Sequence, residues 1–106
     1  MEFLVEFNVK VPAGTPESEV GYRERAEALA AARLVDAGHL VRLWKLAGAP
    51  GESRAIGLYR ADGEAELAAL LGALPLSEWM QTVTTPLAPH PNDPVALGSA
   101  PNGSER

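Results

Sequence analysis

Apolar and polar side chains alternate at the start of the chain. From Phe3 to Val11 every second residue is Phe or Val, and most of the positions between them are polar. A period of two predicts a β-strand with one buried face, and Pro12 and Gly14 end it. The opposite face of this strand then carries Leu4, Glu6, Asn8 and Lys10.

A helix is predicted to follow this strand. The Thr15 hydroxyl is placed to cap a free backbone N–H, Pro16 suits the first helical position, and Glu17 complements the positive end of the helix. Gly38 offers the end of the helix. Helical spacing assigns to its buried face Tyr22, Ala26, Leu29, Ala30, Leu34 and Ala37.

Two strands and a second helix come next. Residues 39–47 and 53–60 have strand composition, and a turn containing Gly and Pro separates them. Asp62 is expected to cap a shorter helix that Pro75 ends, and residues 79–85 form the last strand. The apolar face of this helix, with spacing i, i+3, i+4, i+7, carries Leu67, Leu70, Leu71 and Leu74.

The element order is β-α-β-β-α-β, the order of the ferredoxin-like α+β fold. We therefore predict an antiparallel four-stranded sheet with two helices on one face. Its other face remains for solvent, a ligand or a partner subunit. Residues 1–92 form this domain, and residues 93–106 are predicted to be a flexible tail rich in Pro, Gly and Ser.

Charge and composition exclude several classes of function. The 106 residues carry a net charge of −5 and no run of Lys or Arg, which argues against nucleic-acid binding through phosphates. No apolar run reaches the roughly 20 residues needed to cross a bilayer, and no basic segment followed by an apolar one begins the chain. Cysteine is absent, so there is no disulfide and no thiolate nucleophile. These features predict a cytoplasmic protein that does not bind membranes.

Glu6 and Asn8 are polar residues in the middle of the first strand. A carboxylate in a partly apolar pocket gains pKa and can shuttle protons near neutral pH. Glu6 is therefore a candidate catalytic residue, and Asn8 is a candidate substrate contact. The alternative is a glutamate that is exposed, or paired at a subunit interface.

Arg42 and Trp44 share one face of the second strand. The guanidinium suits a substrate carboxylate or a developing enolate oxygen, and the indole offers an apolar wall with one N–H donor. An interface arginine packed on an aromatic ring is the alternative. We expect Glu6 and Arg42 to meet across a substrate in a shielded cavity on the uncovered face of the sheet.

Further side chains are candidates for substrate binding. Tyr59 and Trp79 are possible pocket walls, although packing in the core is the simpler account of Tyr59. His90 lies between two prolines in an extended arm, which either closes a neighbouring subunit's pocket or lies on its surface. The two histidines, His39 and His90, lack the spacing of a metal site. No phosphate loop, HExxH or dinucleotide fingerprint occurs.

Three blocks of the sequence resemble muconolactone delta-isomerases in order and spacing. They are FLVEFNVKVPAGTP near the start, HLVRLWKLAG in the centre, and LPLSEWM followed by TPLAPHP near the end, spanning residues 1–92. The resemblance implies a ferredoxin-like fold, an enzyme without a cofactor, and a homo-oligomer. In that oligomer the sheets of two subunits pack as a dimeric α+β barrel, and dimers assemble up to a decamer.

The resemblance also implies a reaction, the conversion of muconolactone to 3-oxoadipate enol-lactone in aromatic catabolism. A base removes a ring proton, a dienolate forms, and a proton returns at the far end of the conjugated system. On this basis Glu6 is expected to be the proton shuttle, Arg42 the partner of the carboxylate or enolate, and Trp44 a pocket wall.

The chain departs from the family pattern within these motifs. Typical members read Trp-Arg-His-Leu-Trp-Arg at 40–45, where Arg42 replaces the histidine, and Leu-Phe-Pro-Tyr-Met at 76–80, where Trp79 replaces the tyrosine. The arginine that precedes His90 in the family is proline here. Two other functions therefore stay open: a cyclase or isomerase acting on a larger polyketide-like substrate, and a ligand-binding protein without catalysis.

Overall fold

The computed structural model describes residues 1–95, so residues 96–106 of the predicted tail lie outside the described part. The elements are β1 (Glu2–Lys10), α1 (Glu17–Asp36), β2 (Leu40–Leu46), β3 (Glu52–Arg60), α2 (Glu64–Gly72) and β4 (Met80–Leu87), with a 3-10 turn at Ser77–Trp79. The predicted β-α-β-β-α-β plan is confirmed. No helix in the described residues is long and apolar enough to span a membrane.

The four strands form one sheet in the order β2-β3-β1-β4, with every neighbouring pair antiparallel. Directly paired residues of antiparallel strands project to the same face. An irregularity of β2 between Leu40 and Arg42 breaks the usual alternation. As a result Leu40 pairs with Tyr59 on the helix side of the sheet, whereas Arg42 pairs with Leu58 on the other side.

The core lies between the two helices and the inner face of the sheet, which is the face that the helices cover. Phe3, Val5 and Leu67 are fully enclosed there. The alternation predicted for β1 is confirmed, because Glu6 and Asn8 project to the opposite, outer face. The buried side chains are Phe3, Val5, Phe7, Leu40, Tyr59, Ala61, Leu67, Leu71 and Leu74.

The inward face of α1 differs from the predicted one. Tyr22 and Leu29 are 68% and 61% exposed, whereas Ala30, Ala31 and Leu34 pack against the core. The prediction was wrong for Tyr22 and Leu29 because alanine dominates this helix. When the true inner stripe holds small and charged residues, the few large apolar side chains indicate the wrong face.

Both predicted N-terminal helix caps are wrong, whereas α1 does end just before Gly38. The Thr15 hydroxyl donates a hydrogen bond to the Pro12 carbonyl oxygen at 2.7 Å instead of accepting one from the helix. At α2 the capping position belongs to Gly63. The Asp62 backbone N–H donates to the Glu66 carboxylate at 2.6 Å, so the acid that ties down this helix start lies inside the helix.

The last strand continues past its predicted end at Thr85, through Pro86 to Leu87. Proline lacks the N–H that a central strand needs for its second ladder. β4 is an edge strand of this sheet, so Pro86 is tolerated there.

Candidate functional site

The outer face of the sheet brings together four of the predicted site residues. Trp44 pairs with Ile56, and Ile56 pairs with Glu6, so Trp44 and Glu6 lie in one row across the strands. The guanidinium carbon of Arg42 lies 4.9 Å from the centre of the Trp44 ring. Asn8 lies one pair further along the same face of β1. The predicted acid and the predicted cation therefore share one surface.

Ion pairs mark the two ends of this surface. Lys10 pairs with Glu52 at 3.2 Å, and Arg60 pairs with Glu2 at 2.9 Å. Glu6 lies between these pairs, half-buried, and forms no ion pair within residues 1–95. Its carboxylate is thus available to a ligand or to a partner.

The outer face is incomplete in the isolated chain. Trp44 and Val83 are 42% and 60% exposed. The amide oxygen of Asn8 is buried and has no hydrogen-bond partner among the described residues. A buried polar atom without a partner costs free energy. Trp44 and Val83 lie on the two edge strands, at opposite ends of one row that contains Ile56 and Glu6, so exposed apolar surface occurs on both sides of this face.

A partly open cavity of about 310 Å³ lies on the inner face, between α1 and the sheet. Its wall is mostly apolar and comes from all four strands, from α1 and from the segment that follows α2. Neither Glu6 nor Arg42 lines it, so this cavity and the predicted catalytic pair lie on opposite sides of the sheet. Four polar side chains contribute to the lining: Glu24, Glu27, Ser53 and Tyr59.

Glu27 is the half-buried carboxylate of this cavity. Its Oε1 accepts a hydrogen bond from the Leu76 backbone N–H at 3.0 Å. Burial raises the pKa of Glu27 above its ordinary value of 4.5, and the hydrogen bond from Leu76 offsets part of the rise. A carboxylate in this state is a stronger base than a solvated one, and its acid form persists closer to neutral pH.

Tyr59 belongs both to the core and to the cavity wall. It is 3% exposed, and its ring packs against Phe7 with 5.9 Å between ring centres. Burial, with a smaller contribution from the negative charge of Glu27, raises the pKa of Tyr59 to about 12. The phenol therefore stays protonated near neutral pH and keeps an O–H donor at the cavity.

Gly57 sets the position of the Tyr59 ring, and replacing it with alanine is expected to destabilise the fold. A Cβ at this position would lie 2.5 Å from Cε1 of Tyr59 and 3.3 Å from Cδ1 of Leu43. We expect a loss of about 1–3 kcal/mol in the free energy of unfolding, typical of overpacking. Chemical denaturation measures the loss. Gly72→Ala is the control because nothing lies within 4 Å of its added Cβ, and an equal loss there would contradict the steric explanation.

Trp79 lies on the helix side, away from Glu6 and Arg42. It lines a second cavity of about 200 Å³, which adjoins the first because both are lined by Glu24 and Leu76. The guanidinium carbon of Arg23 lies 4.5 Å from the centre of the Trp79 ring. Trp79 is therefore fixed between α1 and the cavity end.

His90 joins neither group of residues. It is exposed beyond β4, and its Nδ1 accepts a hydrogen bond from the Asn92 backbone N–H at 2.9 Å. Within residues 1–95 no cluster of His, Cys, Asp and Glu is arranged to hold a metal ion. A role for His90 in a neighbouring subunit stays a prediction.

Glu27 is absent from the sequence-based predictions, although the sequence contains a signal for it. Glu27, Ala31 and Leu34 have the spacing i, i+4, i+7, so the carboxylate lies on the stripe of α1 that packs toward the sheet. A charged residue inside such a stripe is partly desolvated and is a candidate for chemistry.

The fold and the cavity define a class: small ferredoxin-like proteins with a mostly apolar pocket that holds a half-buried carboxyl and a phenol. The family model of muconolactone delta-isomerase matches residues 1–93, and the chain belongs to this family. Membership of this family supports an isomerase function.

Two relatives illustrate the similarity. The chain is 32% identical over 95 residues to muconolactone Delta-isomerase 1 of Acinetobacter lwoffii, an alignment that covers 87% of this chain and 93% of the relative. The fold of the present chain matches that of a crystal structure of muconolactone isomerase with a TM-score of 0.75 and 24% identity, over 100% of both chains.

Proposed function

We propose that this protein is a cofactor-independent isomerase that shifts a carbon–carbon double bond in a small unsaturated lactone acid, of the type muconolactone to 3-oxoadipate enol-lactone. One observation carries the proposal within this family. A half-buried carboxyl, that of Glu27, lies in a mostly apolar cavity that also holds a protonated phenol. Proton transfer between carbons requires a base of this kind, shielded from water.

Glu27 is the proton shuttle in this proposal. Its carboxylate takes a proton from the ring carbon, and the electrons of that C–H bond enter a dienolate. The protonated carboxyl then returns the proton to the far end of the conjugated system, so that substrate and product have the same atoms. A raised pKa favours both steps, because the carboxylate is more basic and its acid form is retained.

Tyr59 stabilises the dienolate in this proposal. Its hydroxyl keeps its proton, since the pKa of Tyr59 is raised to about 12, and it donates to the oxygen on which negative charge develops. The cavity lining contains no arginine or lysine among the described residues. The acid group of the substrate therefore stays at the open mouth, in contact with water.

The cavity size favours a small substrate. Its volume of about 310 Å³ lies at the lower end of the roughly 300–1,000 Å³ that ligand pockets occupy. The adjoining cavity of about 200 Å³ favours a second candidate, a cyclase or isomerase whose larger polyketide-like substrate extends into it. Comparing turnover of muconolactone with turnover of extended analogues distinguishes the two.

The outer face is the second candidate position for the chemistry. There Glu6 is the shuttle, Arg42 binds the carboxylate or enolate, and Asn8 and Trp44 contact the substrate. The shared surface of these residues supports this position. It requires a second copy of the chain to shield Glu6 from water.

We also propose that the chain forms a homo-oligomer in which two outer faces pack together as a dimeric α+β barrel. The exposed apolar side chains of Trp44 and Val83 and the buried, unpartnered amide oxygen of Asn8 support this assembly. Light scattering of the purified chain measures its mass, and a monomer would contradict the proposal.

Turnover of muconolactone tests the proposed function. We expect the purified chain to form the enol-lactone, followed by ultraviolet absorbance and NMR, without an added metal or cofactor. Binding without turnover of muconolactone or of the larger analogues would identify a ligand-binding protein instead.

The variant Glu6→Gln then locates the chemistry. With catalysis in the inner cavity, this variant keeps its turnover, which eliminates Glu6 as the shuttle. Loss of turnover with the oligomer intact would place the proton transfer on the outer face, as the sequence predicted.

A further inference from the structure

One peptide group at the end of the cavity is held from both sides by α1. The carbonyl oxygen of Pro75 accepts a hydrogen bond from Nη1 of Arg23 at 3.2 Å. The N–H of the same peptide unit, that of Leu76, donates to Oε1 of Glu27 at 3.0 Å. Arg23 and Glu27 are one helical turn apart, so a cation and a carboxylate on one helix face bind the two ends of one peptide dipole.

Further contacts fix Arg23 in this position. Its guanidinium forms ion pairs with Glu78 at 2.7 Å and with Glu19 at 3.3 Å, and it stacks over the Trp79 ring at 4.5 Å. The side chain is only 25% exposed despite its charge. A planar fork with several donors makes these contacts at once, which a lysine ammonium does not do.

The segment that Arg23 holds is part of the wall of both cavities. Leu74, Leu76 and Met80 line the larger cavity, and Leu76 and Trp79 line the smaller one. Movement of this segment therefore changes the shape of the cavity end and the hydrogen bond to Glu27 together.

We propose that Arg23 is a positioning residue of the isomerase. Through the Pro75–Leu76 peptide it orients the N–H that binds the Glu27 carboxylate, and through Trp79 and Glu78 it holds the wall at this end of the cavity in place. The catalytic part of this inference rests on the proposed function, whereas the link between Arg23 and the ionisation of Glu27 does not.

The link has an electrostatic direction. A guanidinium on the carbonyl oxygen polarises the peptide and strengthens the hydrogen bond from its N–H, which stabilises the charged form of Glu27. The other titratable groups around Glu27 are Glu24 on α1 and Tyr59 on β3, with Glu19 and Glu78 paired to Arg23. The strands β1, β2 and β4 contribute only apolar side chains to the cavity lining.

Removing Arg23 is therefore expected to raise the pKa of Glu27 further above its ordinary value. Carbon-13 NMR of glutamate carboxyls, assigned with Glu27→Gln, follows the Glu27 titration directly. In Arg23→Gln the Glu27 midpoint moves to higher pH. In Arg23→Lys, which keeps the charge but loses the fork, the midpoint lies between those of Arg23→Gln and the wild type. The acid limb of the pH–rate profile shifts in the same direction as the Glu27 midpoint. Turnover at neutral pH falls about 10-fold or more, because the Pro75–Leu76 segment no longer holds the Glu27 carboxyl in its position against the substrate.

Arg25→Gln is the matched control. Arg25 lies exposed on the same helix, so its loss changes the net charge equally, and we expect the Glu27 midpoint to stay unchanged. An equal midpoint in Arg23→Gln and Arg25→Gln overturns the inference. A Glu27 midpoint in Arg23→Lys equal to that of the wild type also overturns the inference, because a positive charge without the guanidinium fork would then be enough to position the peptide. If Arg23→Gln does not fold, Arg23→Lys alone provides the test. Absence of lactone turnover in the wild type contradicts the proposed function and leaves the NMR result to test the link.

Discussion

Replacing Glu27 with glutamine is expected to reduce turnover of a muconolactone-type lactone by about 10²–10⁴-fold, the usual loss when a general acid–base is removed. Glutamine has the same shape, and its side-chain oxygen can still accept the Leu76 N–H that Glu27 binds at 3.0 Å. The cavity is therefore retained while the group that accepts a proton is lost. Steady-state kinetics at several pH values measures the effect.

The same substitution is not expected to destabilise the fold near neutral pH. The pKa of Glu27 is raised in the folded protein above its ordinary value of 4.5, so the native state binds more protons than the unfolded state between these two values. The free energy of unfolding of the wild type consequently falls as pH rises through that window. Glutamine at position 27 does not titrate, so the free energy of unfolding of Glu27→Gln does not fall in this way. Denaturant unfolding of both proteins at several pH values measures the difference.

Glu17→Gln provides the matched control for Glu27→Gln. Glu17 lies exposed at the start of the same helix, and we expect its turnover to equal that of the wild type. If Glu27→Gln keeps its turnover, the inner-cavity site is contradicted. If Glu6→Gln in addition loses its turnover, the outer face is the catalytic surface.

Replacing Phe3 with alanine is expected to cost about 3–5 kcal/mol in the free energy of unfolding. Phe3 is 0% exposed and lies opposite Tyr59 in β3 and Pro86 in β4, so its removal leaves a void in the core between the helices and the inner face of the sheet. Small domains have a total stability of only about 5–15 kcal/mol. Denaturant titration at a fixed protein concentration measures the loss.

Leu29→Ala is the comparison for Phe3→Ala, and it also tests the observed inward face of α1. Leu29 is 61% exposed, so we expect a change within about 0.5 kcal/mol. A loss at Leu29 as large as that at Phe3 would mean that Leu29 is buried, as the sequence pattern predicted, or is covered by another subunit.

Local patterns in this sequence predicted the positions of strands and helices better than they predicted which face of helix α1 packs against the sheet. The period of two in β1 correctly separated Phe3 and Phe7 from Glu6, because alternation across a strand is a property of each residue and its neighbours. The helical spacing of α1 placed Leu29 inside when it is exposed. The face of an alanine-rich helix is decided by how the helix rotates against the sheet, which its own residues specify only weakly.

The sequence by itself determined the order of strands and helices, the family, and the face of β1 that carries Glu6 and Asn8. Only the tertiary structure decided that the cavity lies on the inner face and that Glu27 lines it. The reason is physical. A carboxyl group gains pKa through burial, and the burial of Glu27 depends on the sheet beneath α1 and on the Pro75–Leu76 peptide. That peptide is far away in the sequence and meets the helix only in the folded chain.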